Sequence, residues 1–233
     1  MGFDYNVLTM QPSPASYITV DFHSHTYSSK DSLTTPEGII AAARRRGLGR
    51  LVITDHNSIA GARLAQQMAP DLVIVGEEIM TQSGELLASF VEEEIPAGLP
   101  VKEAIRRLRQ QGAFISVSHP FDRARSGFAL ADLDEIVPLV DAIEVFNARC
   151  VFERTNRLAQ EYARAHHLAG TAGSDGHIAW EIGRGCLKLP VFNCPDELRQ
   201  VIGQGKPVGR RVPLVMHAYA TLISIPKRIG YGK

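Results

Sequence analysis

The chain has 233 residues, 45% hydrophobic and 21% charged, with 25 Lys and Arg set against 25 Asp and Glu. That length buries a substantial core, and a formal net charge of zero excludes a global positive field for holding DNA or an anionic membrane. No apolar run approaches the roughly 20 residues a membrane-spanning helix needs.

Residues 1–16 lack a basic segment leading into an apolar one, so no secretory signal is expected there. The cysteines, Cys150, Cys186 and Cys194, are odd in number and show no CxxC spacing. They argue for a reducing, cytoplasmic setting over a disulfide framework.

Apolar runs of strand length alternate with stretches of helical period. Tyr17–Val20 reads as a strand, and Thr35-Pro36-Glu37 opens a helix that stops near Gly47, with Thr35 as its cap. Leu51–Ile53 is a second strand, followed by a helix over Ser58–Met68, and Leu72–Val75 is a third. The Gln82-Ser83-Gly84-Glu85 turn leads into Leu86–Val91, read as the return arm of a hairpin. The alternation resumes with a helix over Val101–Gln111, a strand over Ala113–Val117 and a short helix over Leu130–Val137. A strand over Ala142–Val145, a long helix over Phe152–His166, a strand over Leu168–Ala172 and shorter elements through Val208 complete the series. Without a repeat or a linker, these units predict one α/β domain with a largely parallel sheet, open or closed into a barrel.

The polar residues favour a barrel. Asp21, His23 and His25 follow the first strand, Asp55 and His56 the second, Glu77 and Glu78 the third, and His119 the Ala113 strand. Glu144 and Asn147 belong to the Ala142 strand, and Asp175 and His177 follow the Leu168 strand. A parallel barrel aims these strand ends at one face, where barrel enzymes build their sites. Several acids gathered there repel one another, and bound divalent cations compensate them. His23 and His25, two apart on extended chain, point to one side and can hold one metal. Taken singly, each feature has an ordinary reading as a cap, turn or solvated pair; five in a row at strand exits do not.

The order His23-Ser24-His25, Thr54-Asp55-His56-Asn57, Gly76-Glu77-Glu78-Ile79, Ser118-His119-Pro120 and Ser174-Asp175-Gly176-His177 resembles the polymerase-and-histidinol-phosphatase (PHP) domain. The likeness covers roughly residues 18–190, and it is to the small stand-alone metal-dependent phosphoesterase type. It implies a distorted (β/α)7 barrel with a two- or three-metal site at the C-terminal ends of the strands, and phosphoesterase chemistry. The chain is then expected to be a single PHP domain over 1–233, with its motifs in 17–209 and a C-terminal extension over 210–233. The resemblance also implies ligands: His23, His25, Glu78 and Asp175 around one metal, with Glu78 preferred over Glu77 and bridging to a second. His119 would serve that second metal, and His56, His177 and Asp31 a third. Asp55 would orient an imidazole from behind.

Two departures stand out. The His25-to-Asp31 spacing is one residue longer than the common family pattern, and Cys150 falls near a slot where some members carry histidine. Cys150 is read as a small buried residue.

Mixed His and carboxylate donors suit Mn, Zn or Fe rather than Ca. Two such cations about 3.5–4 Å apart activate a water for attack on phosphorus. No covalent nucleophile is evident. His56 or His177 would protonate the leaving oxygen, with Asp55 counted beside them in the catalytic set. Arg123, Arg125 and Arg149 are candidate phosphate-binding residues.

Arg44-Arg45-Arg46 closes a helix, where cations complement the dipole. The apolar Val212–Ile225 segment reads as a packed terminal helix, too short to span a bilayer. The leading expectation is therefore hydrolysis of a phosphate ester of a small metabolite or nucleotide. An exonuclease acting on RNA or DNA ends is the alternative, less favoured by the charge balance, and a catalytically silent regulatory module is a third. Oligomeric state is open.

Overall fold

The computed structural model describes residues 16–228. The reading of 1–16 as lacking a secretory signal falls almost wholly outside that range, as do the last five residues of the 210–233 extension.

The elements follow the predicted alternation. They are β1 (Tyr17–Asp21), α1 (Pro36–Arg45), β2 (Arg50–Ile53), α2 (Ala60–Met68), β3 (Val73–Met80), β4 (Glu85–Ser89), α3 (Val101–Gln110) and β5 (Phe114–Val117). After these come α4 (Leu130–Ile136), β6 (Ala142–Asn147), α5 (Glu153–Ala165), β7 (Ala169–Gly173), β8 (Gly185–Pro190), α6 (Pro195–Val201), β9 (Lys206–Gly209) and α7 (Leu214–Arg228). The start of α1 is as predicted: Pro36 occupies its first turn, and Thr35 Oγ1 accepts the Gly38 N–H at 3.1 Å.

The strands form one sheet in the order β7-β6-β5-β4-β3-β2-β1-β8-β9. β1–β2–β3 and β5–β6–β7 are parallel runs, but β4 is antiparallel to both β3 and β5, β8 to β1, and β9 to β8. The expectation of a largely parallel sheet is thus corrected to an even mixture. The hairpin is the reason: β3 runs on to Met80, turns through 81–84, and returns as β4 between the two parallel runs.

The sheet curls into a nearly closed barrel. β8 pairs with β1 from Tyr17 to Val20, and the chain beyond β1 turns instead to β7. Phe22 N–H donates to Ala172 O at 3.1 Å, Asp175 N–H to His23 O at 2.7 Å, and His25 N–H to Gly176 O at 3.0 Å. Alternate strand residues divide between two cores. Leu51, Ile53, Val73 and Val75 pack with the helices, whereas Val20, Val52, Ile74, Ala142 and Ala172 pack on the other face with Phe192 and Leu198. Both faces are apolar, which is why the strands read as continuous hydrophobic runs.

Candidate metal centre

The chain leaving β1 carries His23 and His25, both fully buried, with their Nε2 atoms 3.1 Å apart. Each ring is held from behind at Nδ1. His23 Nδ1 meets Glu144 Oε1 at 3.0 Å, and His25 Nδ1 meets Ser29 Oγ at 3.1 Å. A carboxylate only accepts, and Ser29 Oγ already donates to Asp55 Oδ1 at 2.9 Å. Both rings therefore donate from Nδ1, and in the neutral form each turns a bare Nε2 lone pair inward. Two lone pairs facing at hydrogen-bond distance repel unless a cation or proton lies between them.

Carboxylates converge on the same point. Glu78 Oε2 lies 3.1 Å from His23 Nε2, 3.4 Å from His25 Nε2 and 3.2 Å from His56 Nδ1. Its Oε1 accepts the Ser118 hydroxyl at 2.7 Å and stands 3.3 Å from His119 Nε2. Asp175 Oδ1 is 3.3 Å from His25 Nε2 and 3.5 Å from His177 Nδ1. Asp31 closes the far side, its Oδ2 3.2 Å from His177 Nε2 and 3.7 Å from His56 Nε2, despite the lengthened spacing from His25.

Among the described residues, three overlapping sets each bring their donor atoms within 4.8 Å of one another: His23, His25 and Asp175; His25, His56 and His177; and His56, Glu78 and Glu85. This donor set fits divalent transition metals.

The electrostatics are those of a centre that wants cations. Burial alone would depress the His23 pKa, but Glu78, Asp175 and Glu144 hold it well above the usual imidazole range. His56, opposed by burial, is lifted to about 10 by Glu78 and Asp31. His25 goes the other way, to about 4, through burial and the neighbouring His177. Burial and Glu78 push Glu85 up to about 8. Against burial, His23 and His56 hold Glu78 well below the carboxylate range, and His23 and Arg125 do the same for Asp175.

Not every predicted residue meets the cluster. Glu77 points to the opposite face of β3, where it accepts the Ile95 N–H at 3.0 Å. Asp55 does not touch an imidazole. Its carboxylate accepts the Thr26 N–H and hydroxyl, both at 2.6 Å, and the Ser29 hydroxyl, so it reaches His25 only through Ser29.

Above the cluster lies a cavity of about 470 Å³ lined by Asp31, His56, Glu78, His177 and other residues of the centre. Arg125 and Arg149 join its wall; Arg123 is exposed and outside that lining. Arg125 is heavily engaged, bonding to Asp175 and to Asp122 at 3.0 Å, with Cys150 Sγ at 3.4 Å. The Cys150 thiol is buried, which pushes its pKa up to about 11.

Three residues of the site were missed, Glu85, His217 and Thr221. Glu85 begins β4, and because that strand runs backwards its amino end arrives at the face where the parallel strands leave their carboxyl ends. The hairpin signal at 82–85 would have identified it. His217, with Thr221, enters the cavity wall from α7, and no local motif marks it.

The comparisons with known proteins agree with this fold. A family described as PHP-associated matches residues 153–207. An uncharacterized protein of Methanocaldococcus jannaschii is 38% identical over 185 residues, covering 77% of this chain and 74% of that protein. Among solved structures, a candidate metal-dependent phosphoesterase of Bifidobacterium adolescentis superposes with a TM-score of 0.60 at 18% identity, over 84% of this chain and 98% of that one. The lesion-specific endonuclease of Pyrococcus furiosus superposes with a TM-score of 0.62 at 16% identity, over 82% of this chain and 58% of the endonuclease.

Proposed function

Because the chain belongs to the PHP family, with its metal-dependent phosphoesterase and endonuclease fold, we propose that it hydrolyses a phosphate ester of a small metabolite or nucleotide. The observation that carries this reading is the pair of inward-facing Nε2 atoms of His23 and His25, 3.1 Å apart and flanked by Glu78 and Asp175. In this reading His23, His25, Glu78 and Asp175 hold one metal. His56, His119, His177, Asp31 and the added Glu85 complete sites for a second or third, with Mn, Zn or Fe as the ions these donors suit. Bound divalent cations would lower the pKa of a water and neutralise the charge growing on the phosphoryl oxygens.

The remaining roles belong to the side chains. Arg149, with Arg125 also in the cavity wall, takes the anionic oxygens of the ester. Of the imidazoles in the metal cluster, His56 is the most open, at 29% exposure, and His177 stands beside Asp31. Either ring, where a cation does not engage it, hands a proton to the leaving alkoxide. Asp55 keeps His25 in its Nε2-inward form through Ser29.

The test is reconstitution of the full chain with Mn²⁺, Zn²⁺ or Fe²⁺, followed by a panel of phosphomonoesters, nucleotides and short oligonucleotides. Turnover of a small ester that a chelator abolishes supports the reading. The likeness to a lesion-specific endonuclease favours one second reading, cleavage of nucleic acid. Turnover confined to oligonucleotides would establish it in place of the first.

A further inference from the structure

Among the described residues, three residues of the cavity wall carry a buried nitrogen atom with no hydrogen-bond partner: His119 Nδ1, Arg149 Nη1 and His217 Nε2, the last two outside the proposed metal-ligand set. Arg149 is 9% exposed, and Glu181 Oε2 stands 3.5 Å from its Nη1. That carboxylate is an ion-pair partner that makes no hydrogen bond with Nη1, and a buried charged donor without one costs free energy, so a buried guanidinium in a cavity wall points to an anionic oxygen.

The element that brings His217 there is tied down at both ends by the loops of the site. Just before α7, Val212 N–H donates to Ala148 O at 2.7 Å and Arg211 Nη1 to Val151 O at 2.7 Å. Near its end, the Lys227 ammonium donates to Tyr27 O, to Ser29 O at 2.6 Å and to Ser32 O at 2.8 Å. The helix is a strap running from the segment after β6 to the Asp31 loop, and its first turns present His217 and Thr221 to the cavity. Burial, then the neighbouring Arg149 and Arg125 guanidiniums, push the His217 pKa down to about 4. At neutral pH the ring is therefore uncharged and carries one N–H.

We propose that Arg149 and His217 form an anion subsite for a non-bridging phosphoryl oxygen, and that the substrate is a phosphomonoester. This rests on the phosphoesterase reading and narrows it. A monoester carries three non-bridging oxygens and a second negative charge, whereas a diester carries two and one. The monoester therefore has an oxygen and a charge to spare for the wall donors after the metal centre has engaged it. The strap makes His217 part of the active site rather than a residue of a packing helix.

The experiment compares the metal-loaded full chain with His217→Ala, His217→Gln and Arg149→Met. It measures the Kd of inorganic phosphate by calorimetry, and kcat and KM on p-nitrophenyl phosphate and on bis-p-nitrophenyl phosphate. His217→Ala should weaken phosphate and raise the monoester KM by about tenfold, as expected for a lost hydrogen bond to a charged oxygen. Gln, which keeps a donor near the same place, should recover most of that loss. The diester should change less than about twofold, since its contacts lie with the centre. Arg149→Met should reproduce the effect, which keeps the proposal testable if alanine at 217 disturbs α7. An unchanged phosphate Kd in both His217→Ala and Arg149→Met, or equal losses on the two esters, would overturn it. A wild type that binds phosphate through His217 yet hydrolyses neither ester would keep the subsite and remove the phosphoesterase reading.

Discussion

Glu78 is the side chain on which the centre turns, because its two oxygens reach His23, His25 and His56 on one side and His119 on the other. Replacing it with Gln removes the negative charge that balances those rings, so Glu78→Gln should lose bound metal and turnover together, as should His23→Ala. Elemental analysis beside the kinetics checks this. Asp55 acts at one remove, through the Ser29 hydroxyl to His25 Nδ1. Asp55→Asn and Ser29→Ala should therefore give similar, milder losses, roughly 10–100-fold in metal affinity. Collapse of Asp55→Asn to the level of Glu78→Gln, with Ser29→Ala unaffected, would show that this relay is wrong. Glu77, one residue away, tests a different physics. Burial, with Glu94 adding to it, raises its pKa to about 8 from an ordinary 4.5. A carboxyl with a raised folded-state pKa stabilises fully below its unfolded value, and that contribution is lost as pH climbs through the folded one. Between pH 4.5 and 8 this group alone should make stability fall by up to about 1.4 kcal/mol per pH unit. Glu77→Gln should flatten that slope in urea melts taken across the range, and an identical slope would show that Glu77 is not the group responsible.

At the scale of elements, the site depends on how closely β7 approaches the chain leaving β1. Gly173 ends β7, and a Cβ built there would lie 2.2 Å from His23 Cβ and 2.9 Å from His23 N. Gly173→Ala must push that strand and its imidazole apart, for a loss of about 1–3 kcal/mol together with weaker metal binding. Gly203, which has nothing within 4 Å of such an added atom, is the control, and Gly203→Ala should stay within about 0.5 kcal/mol of wild type. A Gly173→Ala protein with wild-type stability and metal content would mean that the contact relaxes freely. This packing also explains what could be read from the sequence. Histidines and acids at the exits of parallel strands converge because strand direction alone carries them there, so His23, His56, His119 and Asp175 were legible. Glu85 was missed although the hairpin signal at 82–85 pointed to it, because a rule about carboxyl ends overlooks a strand that runs backwards and delivers its amino end. His217 escaped for another reason: a helix at the end of the chain has no periodic signal that says which loops it will bridge, and the Lys227 contacts that fix its path are to backbone carbonyls.

For the whole molecule, the clustered acids make stability and metal binding one property. Glu78, Asp175, Asp31 and Glu85 share a small buried volume with five imidazoles, so the ions that draw them together should also stabilise the fold. At free metal near a thousand times Kd the linkage is about 4 kcal/mol, which for a chain of this size is a fall of order 10 °C in Tm on adding chelator. An unchanged Tm in a protein that had carried metal would separate the ions from the fold. Among the described residues no helix is long and apolar enough to cross a membrane. Nucleic acid is the alternative partner to weigh against a small ester. Binding a long polyanion draws its strength from counterions released by several Lys or Arg along the backbone track, and affinity then falls steeply with salt. This chain balances 25 basic against 25 acidic residues, and of the three loop arginines considered for phosphate only Arg125 and Arg149 line the cavity. With α7 strapped across the loops of the site, kcat/KM for a mononucleotide or sugar phosphate should rival that for an oligonucleotide. It should also decline only gently between about 50 and 200 mM salt, where multi-phosphate binding would lose orders of magnitude. A hundredfold preference for the oligonucleotide that vanishes over that interval would mean that the loops carrying Arg125 and Arg149 begin a nucleic-acid track.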